Sequence, residues 1–236
     1  MHKIAVPSYA VERALSRRGR LHPFEDIDPA RTALVVVDLQ NGFMTPGQPA
    51  EIAPAREIVP NVNRLAAATR VAGGTVVWIQ NTITPESEKT WSVYLSYFAN
   101  AEWGPRMLQA FTPGEFGHEL YPALEVRPGD LTVRKYRFSA LVQGASDLDA
   151  ILRARGIDTL IIVGTATNVC CESTARDAMM LNYKVFFVSD ANACRTDEEH
   201  NATLAILMGL FADVRSTDEM IELLQRHALP VAGAAE

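Results

Sequence analysis

A chain of 236 residues, 48% of them hydrophobic, is long enough to bury one α/β core without disulfides or metal and too short to suggest a second full domain. Its net charge of −6, with no stretch that gathers basic residues on a large face, argues against a nucleic-acid partner. The three cysteines, two of them adjacent at Cys170 and Cys171, make neither a disulfide framework nor a zinc spacing, so a reducing cytoplasm and no cofactor are expected.

Met1 to Phe24 lacks the apolar core of an export signal, and no apolar run approaches the roughly 20 residues of a membrane helix. No membrane partner is expected. Residues 1–30 read as an N-terminal arm in which Tyr9 to Leu15 form a helical turn or two before the breakers Pro23 and Pro29. Its basic cluster, Arg17, Arg18 and Arg20, is expected in solvent or at a subunit contact. The domain proper then spans 31–228, with a tail at 229–236.

The run Thr32 to Asp38 predicts a strand buried on both faces, which delivers Asp38 to its C-terminal end with Gln40, Asn41 and Phe43 just beyond. Open parallel sheets bind ligands at that edge. A carboxylate closing a buried run is costly unless it has partners or a task, the plain alternative being a loop or helix cap. After a Pro-rich loop, Ala55 to Val71 carries helical spacing and Gly73-Gly74 stops it. Thr75 to Gln80 is the second strand, ending at Asn81.

From Thr82 to Tyr121 the chain is rich in aromatic residues, among them Trp91, Tyr94, Tyr97, Phe98 and Trp103, and such an insertion reads as a pocket wall or a subunit contact. Asp130 to Arg134 is the third strand and delivers Lys135. Asp147 to Arg155 is a helix ended by Gly156.

The stretch from Ile157 to Ala178 organises the whole chain. Leu160 to Val163 is a buried strand closed by Gly164; a turn over Thr165 to Asn168 follows, then helical spacing with Asn168 available as N-cap. Cys170 then falls in the helix's first turn, where unpaired amides and the helix dipole lower a thiol's pKa and can hold an oxyanion. The alternative is a small buried hydrophobe. Cys171 points about 100° away, into packing, and Cys194 lies in a loop with no evident partner. Strands at Lys184 to Val188 and Asp213 to Arg215, with helices at Glu198 to Phe211 and Asp218 to Gln225, complete the pattern. Six strands alternating with helices predict a Rossmann-like three-layer α/β/α sandwich around a mainly parallel sheet.

Three strand ends thus converge on one carboxylate, one ammonium and one thiol: Asp38, Lys135 and Cys170. Lys135 would stabilise a thiolate, and Asp38 could take the thiol proton and later give it to a leaving amine. The segments Val36-Val37-Asp38-Leu39-Gln40-Asn41-Gly42-Phe43, Lys135-Tyr136-Arg137-Phe138-Ser139-Ala140 and Gly164-Thr165-Ala166-Thr167-Asn168-Val169-Cys170 resemble those of the isochorismatase-like cysteine hydrolases, over Thr32 to Leu224. That family includes nicotinamidases, N-carbamoylsarcosine amidases and ureidoacrylate amidohydrolases.

The resemblance implies that Asp38, Lys135 and Cys170 form a catalytic triad, that the Thr165–Ala166 peptide is cis, and that the Ala166 and Cys170 amides form an oxyanion hole. It further implies thioester chemistry on a small amide, carbamoyl or ureido compound, with release of ammonia or an amine, by a homodimer or homotetramer. Nicotinamidases carry an Asp-x-His metal segment after the first strand; no histidine lies here between His22 and His118, so no metal is expected. Isochorismatases proper lack the cysteine. Trp78-Ile79-Gln80-Asn81, Leu148 to Gly156 and Thr167 to Cys170 look most similar to the ureidoacrylate amidohydrolases, which makes Asn81, Phe43 and Phe138 the implied substrate contacts. Phe138 stands where that subgroup has a tyrosine, and the Thr82 to Pro113 insertion does not match. The rival readings are a vinyl-ether hydrolase and a binding protein with a vestigial site, the latter disfavoured by the presence of all three triad positions.

Overall fold

The computed structural model describes residues 1–226; the expected tail at 229–236 lies outside them. α1 (Ser8–Arg18) turns its small residues Ala10 and Ala14 inward and ends at Gly19, whose φ of 72° is the left-handed conformation a helix stop favours. β1 (Thr32–Val37) follows, buried at every position. α2 (Val59–Val71), β2 (Thr75–Asn81), α3 (Trp103–Phe111) and β3 (Leu131–Lys135) come next, then α4 (Leu148–Ala154), β4 (Thr159–Thr165) and α5 (Glu172–Met180). β5 (Lys184–Ala193), α6 (Asp197–Leu210), β6 (Asp213–Arg215) and α7 (Thr217–Gln225) close the chain.

The strands form one six-stranded sheet in the order β3-β2-β1-β4-β5-β6, with every neighbouring pair parallel. Side chains of β1 alternate between two cores. Leu34 and Val36 pack with Val62 and Leu65 of α2 and Leu223 of α7, while Ala33, Val35 and Val37 pack with Leu152 of α4, Ala175 of α5 and Leu204 of α6. A strand apolar on both faces needs both covers, and the result is the expected three-layer α/β/α sandwich. The sequence order reverses direction between β1 and β4, which leaves a crevice beyond their C-terminal ends.

Three local expectations are corrected. The helix expected from Ala55 starts at Val59, with Pro60 in its first turn, where a missing N–H costs nothing; Ala53–Arg56 is a separate 3-10 turn. The N-terminal helix is longer than a turn or two and packs on α6, and of its basic cluster Arg17 and Arg20 are exposed while Arg18 is half-buried, its guanidinium donating to the carbonyls of Arg20, Leu21 and Met208. Finally, β5 runs on past Val188 to Ala193, because Gly164 and Thr165 pair with Asn192 and Ala193 after a bulge, and the Asn192 amide donates to the carbonyls of Ile162 and Val188. Among the described residues no helix is long and apolar enough to cross a membrane.

Gly164 sits in β4 against the central strand at a φ of 125°, and a Cβ there would collide with the Val37 carbonyl oxygen and amide, which cannot move without breaking the sheet. Gly164→Ala is expected to destabilise the fold by about 3 kcal/mol or more, lowering the melting temperature by roughly 6–12 °C in a thermal scan.

Candidate active site

Four strand ends meet at the crevice. Asp38 leaves β1 with a φ of 56°, a left-handed conformation that aspartate tolerates better than most residues. Lys135 ends β3 in register with Asn81 of β2, so its stem crosses the end of β2 to reach β1. Its Nζ stands 2.8 Å from Asp38 Oδ2, 3.5 Å from Cys170 Sγ, 3.2 Å from Asn81 Oδ1 and 3.1 Å from the Arg137 carbonyl. Both members of the ion pair are fully buried.

Gly164 and the Thr165–Ala166 peptide, which is cis as expected, turn the chain out of β4. A single π-helical turn, Thr167–Cys171, follows before α5 begins at Glu172. Asn168 is therefore not the N-cap, and Cys170 precedes the α-helix instead of occupying its first turn. The Ala166 carbonyl accepts from both Val169 and Cys171, which winds this wider turn.

The electrostatics differ from the expected low-pKa thiol. Burial pushes the Cys170 thiol up to about 12; the Lys135 ammonium pulls it down, and the Asp38 carboxylate pushes it up again. Burial also raises Asp38 above an ordinary carboxylate, against the pull of Lys135. For Lys135 burial disfavours the charge, yet Asp38 and Cys170 outweigh it and its pKa is raised. Burial thus favours the thiol over the thiolate at Cys170, and the Asp38 carboxylate favours the charged form of Lys135. The Asp38 carboxylate faces the Lys135 ammonium at 2.8 Å and lies in hydrogen-bonding reach of the Cys170 thiol, from which it could take a proton.

Cys170 opens on a cavity of about 230 Å³ lined by Phe43, Tyr94, Trp103, Met107, Ala166 and Arg195, among others. The aromatic insertion thus supplies one wall, as its composition suggested. Of the three implied substrate contacts, Phe43 lines this cavity. Asn81 accepts from Lys135, while Gln40 clamps its main chain by accepting from the Asn81 N–H and donating to the Asn81 carbonyl. Phe138 packs edge-on against Trp91 and Tyr94, bracing the wall from behind. Burial, reinforced by Cys170, pushes the Tyr94 phenol up to about 12, which keeps it a proton donor.

Sequence reasoning passed over Arg195 and Glu199. Their signal was not local: only the extension of β5 to Ala193 carries the following residues to the cavity. Cys194, expected to lack a partner, is buried, and its amide donates to His2 Nε2. His2, Cys194 and His200 each offer one ligating atom within 4.8 Å of the others. A metal there would compete with existing bonds, since both nitrogens of each ring are already engaged. The two rings also stack at 17°, so their lone pairs lie in near-parallel planes and do not converge on one point.

Known proteins share this chain's fold and family. The isochorismatase domain model matches residues 32–219. The ureidoacrylate amidohydrolase RutB of Methylobacterium radiotolerans is 33% identical over 201 residues, 78% of this chain and 76% of that protein. A cysteine hydrolase from Pseudomonas syringae pv. phaseolicola superposes with a TM-score of 0.79 at 30% identity, covering 88% of this chain and 98% of its own. The N-carbamoylsarcosine amidase of Thermoplasma acidophilum gives a TM-score of 0.63 at 27% identity, covering 80% and 97%. With the fold, its crevice and a family match over most of its length in agreement, the chain belongs to the isochorismatase family of hydrolases.

Proposed function

We propose that this protein is a cysteine-dependent amidohydrolase that cleaves the C–N bond of a small carbamoyl, ureido or amide compound through a thioester on Cys170. The observation that carries this reading is one buried ammonium in reach of both a carboxylate and a thiol at the end of a cavity. Asp38 takes the Cys170 proton as the sulfur attacks the carbonyl carbon, so thiolate forms only as the new C–S bond does. Lys135 offsets the charge that passes between carboxylate and sulfur. The Ala166 and Cys170 amides donate to the tetrahedral oxyanion. Asp38 then returns the proton to the leaving nitrogen, ammonia or an amine departs, and Asp38 deprotonates the water that hydrolyses the thioester.

The substrate is small, since the cavity holds about 230 Å³. Arg195 is exposed on its lip with no ion-pair partner among the described residues, which favours a substrate bearing a carboxylate. RutB and the N-carbamoylsarcosine amidase are named for ureido and carbamoyl substrates, in keeping with that choice. We take Phe43, Asn81 and Phe138 as supports of the substrate, Phe43 by contact and the other two through Lys135 and Tyr94. Three free cysteines suit a reducing cytoplasm, and the exposed Tyr97 and Phe98 on the insertion suit a contact in a homodimer or homotetramer.

Ammonia release from a panel of carbamoyl acids, ureido acids and primary amides is expected from the wild type, with Cys170→Ala slower by on the order of 10⁴-fold. Ammonia release retained in that variant would mean a non-covalent amidohydrolase, and no release from any member by the wild type would favour a vinyl-ether hydrolase. Arg195→Ala is expected to raise KM about 10–100-fold for a carboxylate-bearing substrate and to leave its neutral amide analogue nearly unchanged; equal effects on both would remove Arg195 from recognition.

The pH profile follows from the same groups. Asp38 must be ionised to accept the proton and its pKa is raised from 3.8, so kcat/KM is expected to fall with acidification through a point above the ordinary carboxylate range. With the thiol pushed up to about 12, no further activation is expected near the ordinary thiol value of 9.0. A rise in kcat/KM centred there would mean that a free thiolate is the attacking form.

A further inference from the structure

Two histidines outside the proposed chemistry sit at the junction of the nucleophile turn and the cavity wall. His200 is fully buried near the start of α6, with Nε2 2.9 Å from the Ser189 carbonyl and Nδ1 2.9 Å from the Thr167 hydroxyl. A carbonyl can only accept, so Nε2 holds the proton, Nδ1 is left with a lone pair, and Thr167 donates to it. Burial, with His2 alongside, brings the His200 pKa down to about 4, which keeps this neutral form in place at ordinary pH.

His2 stacks on that ring at 4.4 Å. Its Nε2 accepts the Cys194 N–H at 3.1 Å, so its proton is on Nδ1 and is donated to Asp197 at 2.8 Å. The segment that carries it is bound along the start of α6: the Lys3 N–H donates to Asp197, the Ala5 N–H to Asn201, and the Asn201 amide back to the Lys3 carbonyl. One ring therefore reaches the turn between the Thr165–Ala166 peptide and Cys170, and the other reaches the residue that precedes Arg195.

We propose that His2 and His200 are positioning residues for the reaction: stacked on each other, they hold the nucleophile turn through Thr167 and the Arg195 wall through the Cys194 amide, making the N-terminal segment part of the active site. The inference rests on the amidohydrolase reading above. His2 acts on binding, because the main chain it holds leads into Arg195. Thr167 and His200 act on turnover, because the turn they hold carries the Ala166 and Cys170 amides. A fold staple with no positioning role would lower stability without separating KM from kcat.

The experiment uses the full chain with two readouts, steady-state ammonia release from a carboxylate-bearing ureido or carbamoyl substrate and iodoacetamide labelling resolved at each cysteine by mass spectrometry. His2→Ala is expected to raise KM about tenfold with kcat within about twofold, and to speed labelling of the otherwise buried Cys194 about tenfold. His2→Gln, whose amide oxygen can accept the Cys194 N–H, is expected to restore both. Thr167→Val, nearly the same shape without the hydroxyl, is expected to lower kcat about tenfold at unchanged KM. Wild-type kinetics and labelling in folded His2→Ala and Thr167→Val overturn the proposal. Should His2→Ala fail to fold, wild-type kinetics in Thr167→Val alone overturn it. Failure of the amidohydrolase reading looks different: the wild type would release no ammonia from any such substrate, while Cys194 labelling would still report whether His2 holds the wall.

Discussion

Lys135 brings an ammonium to a place with no solvent-exposed surface, and the penalty for taking such a charge out of water, several kcal/mol even after relaxation by rough reckoning, dictates what must surround it. Asp38 neutralises it, and the Asn81 side chain and the Arg137 carbonyl accept from it. Each partner arrives from a different strand end or from the loop just after one. The parallel sheet is what makes this affordable: its C-terminal edge presents β1, β2, β3 and β4 side by side, and the reversal of strand order between β1 and β4 leaves room for a ligand there.

The same burial disfavours the thiolate form of Cys170. A thiol at the start of an α-helix would gain from the dipole, but Cys170 lies in the π-helical turn before the helix, and desolvation outweighs the pull of Lys135. The proposed chemistry is consistent with that state, since the Asp38 carboxylate is in hydrogen-bonding reach of the thiol and the proton can move as the bond to carbon forms. A resting neutral thiol is also less open to adventitious oxidation than a free thiolate.

Much of the fold is legible in the sequence because its strongest signals are local. Runs such as Thr32 to Val37 and Leu160 to Val163 read as strands buried on both faces, and the ends of those runs deliver Asp38 and the turn that carries Cys170. Lys135 is legible for the same reason, as the residue that closes a third run. What escapes is set by contacts distant in sequence. The extension of β5 depends on pairing with Gly164 and Thr165 and on the Asn192 amide, and with it come Cys194, Arg195 and Glu199. His2 is nearly two hundred residues from the amide it accepts from, and no periodicity in the N-terminal segment marks it. At Cys170 the spacing alone leaves a helix-start thiol and a buried hydrophobe both open, because the turn's width and the depth of burial are tertiary properties.

The central claim is covalent catalysis at Cys170, and the most direct measurement is rapid acid quench of enzyme mixed with a hydrolysed substrate, followed by mass spectrometry of the peptide containing Cys170. The account predicts a transient mass increase on that residue equal to the substrate less its departing ammonia or amine, absent in Asp38→Asn. Full turnover with no adduct at any quench time, together with undiminished activity in Cys170→Ala, would contradict it.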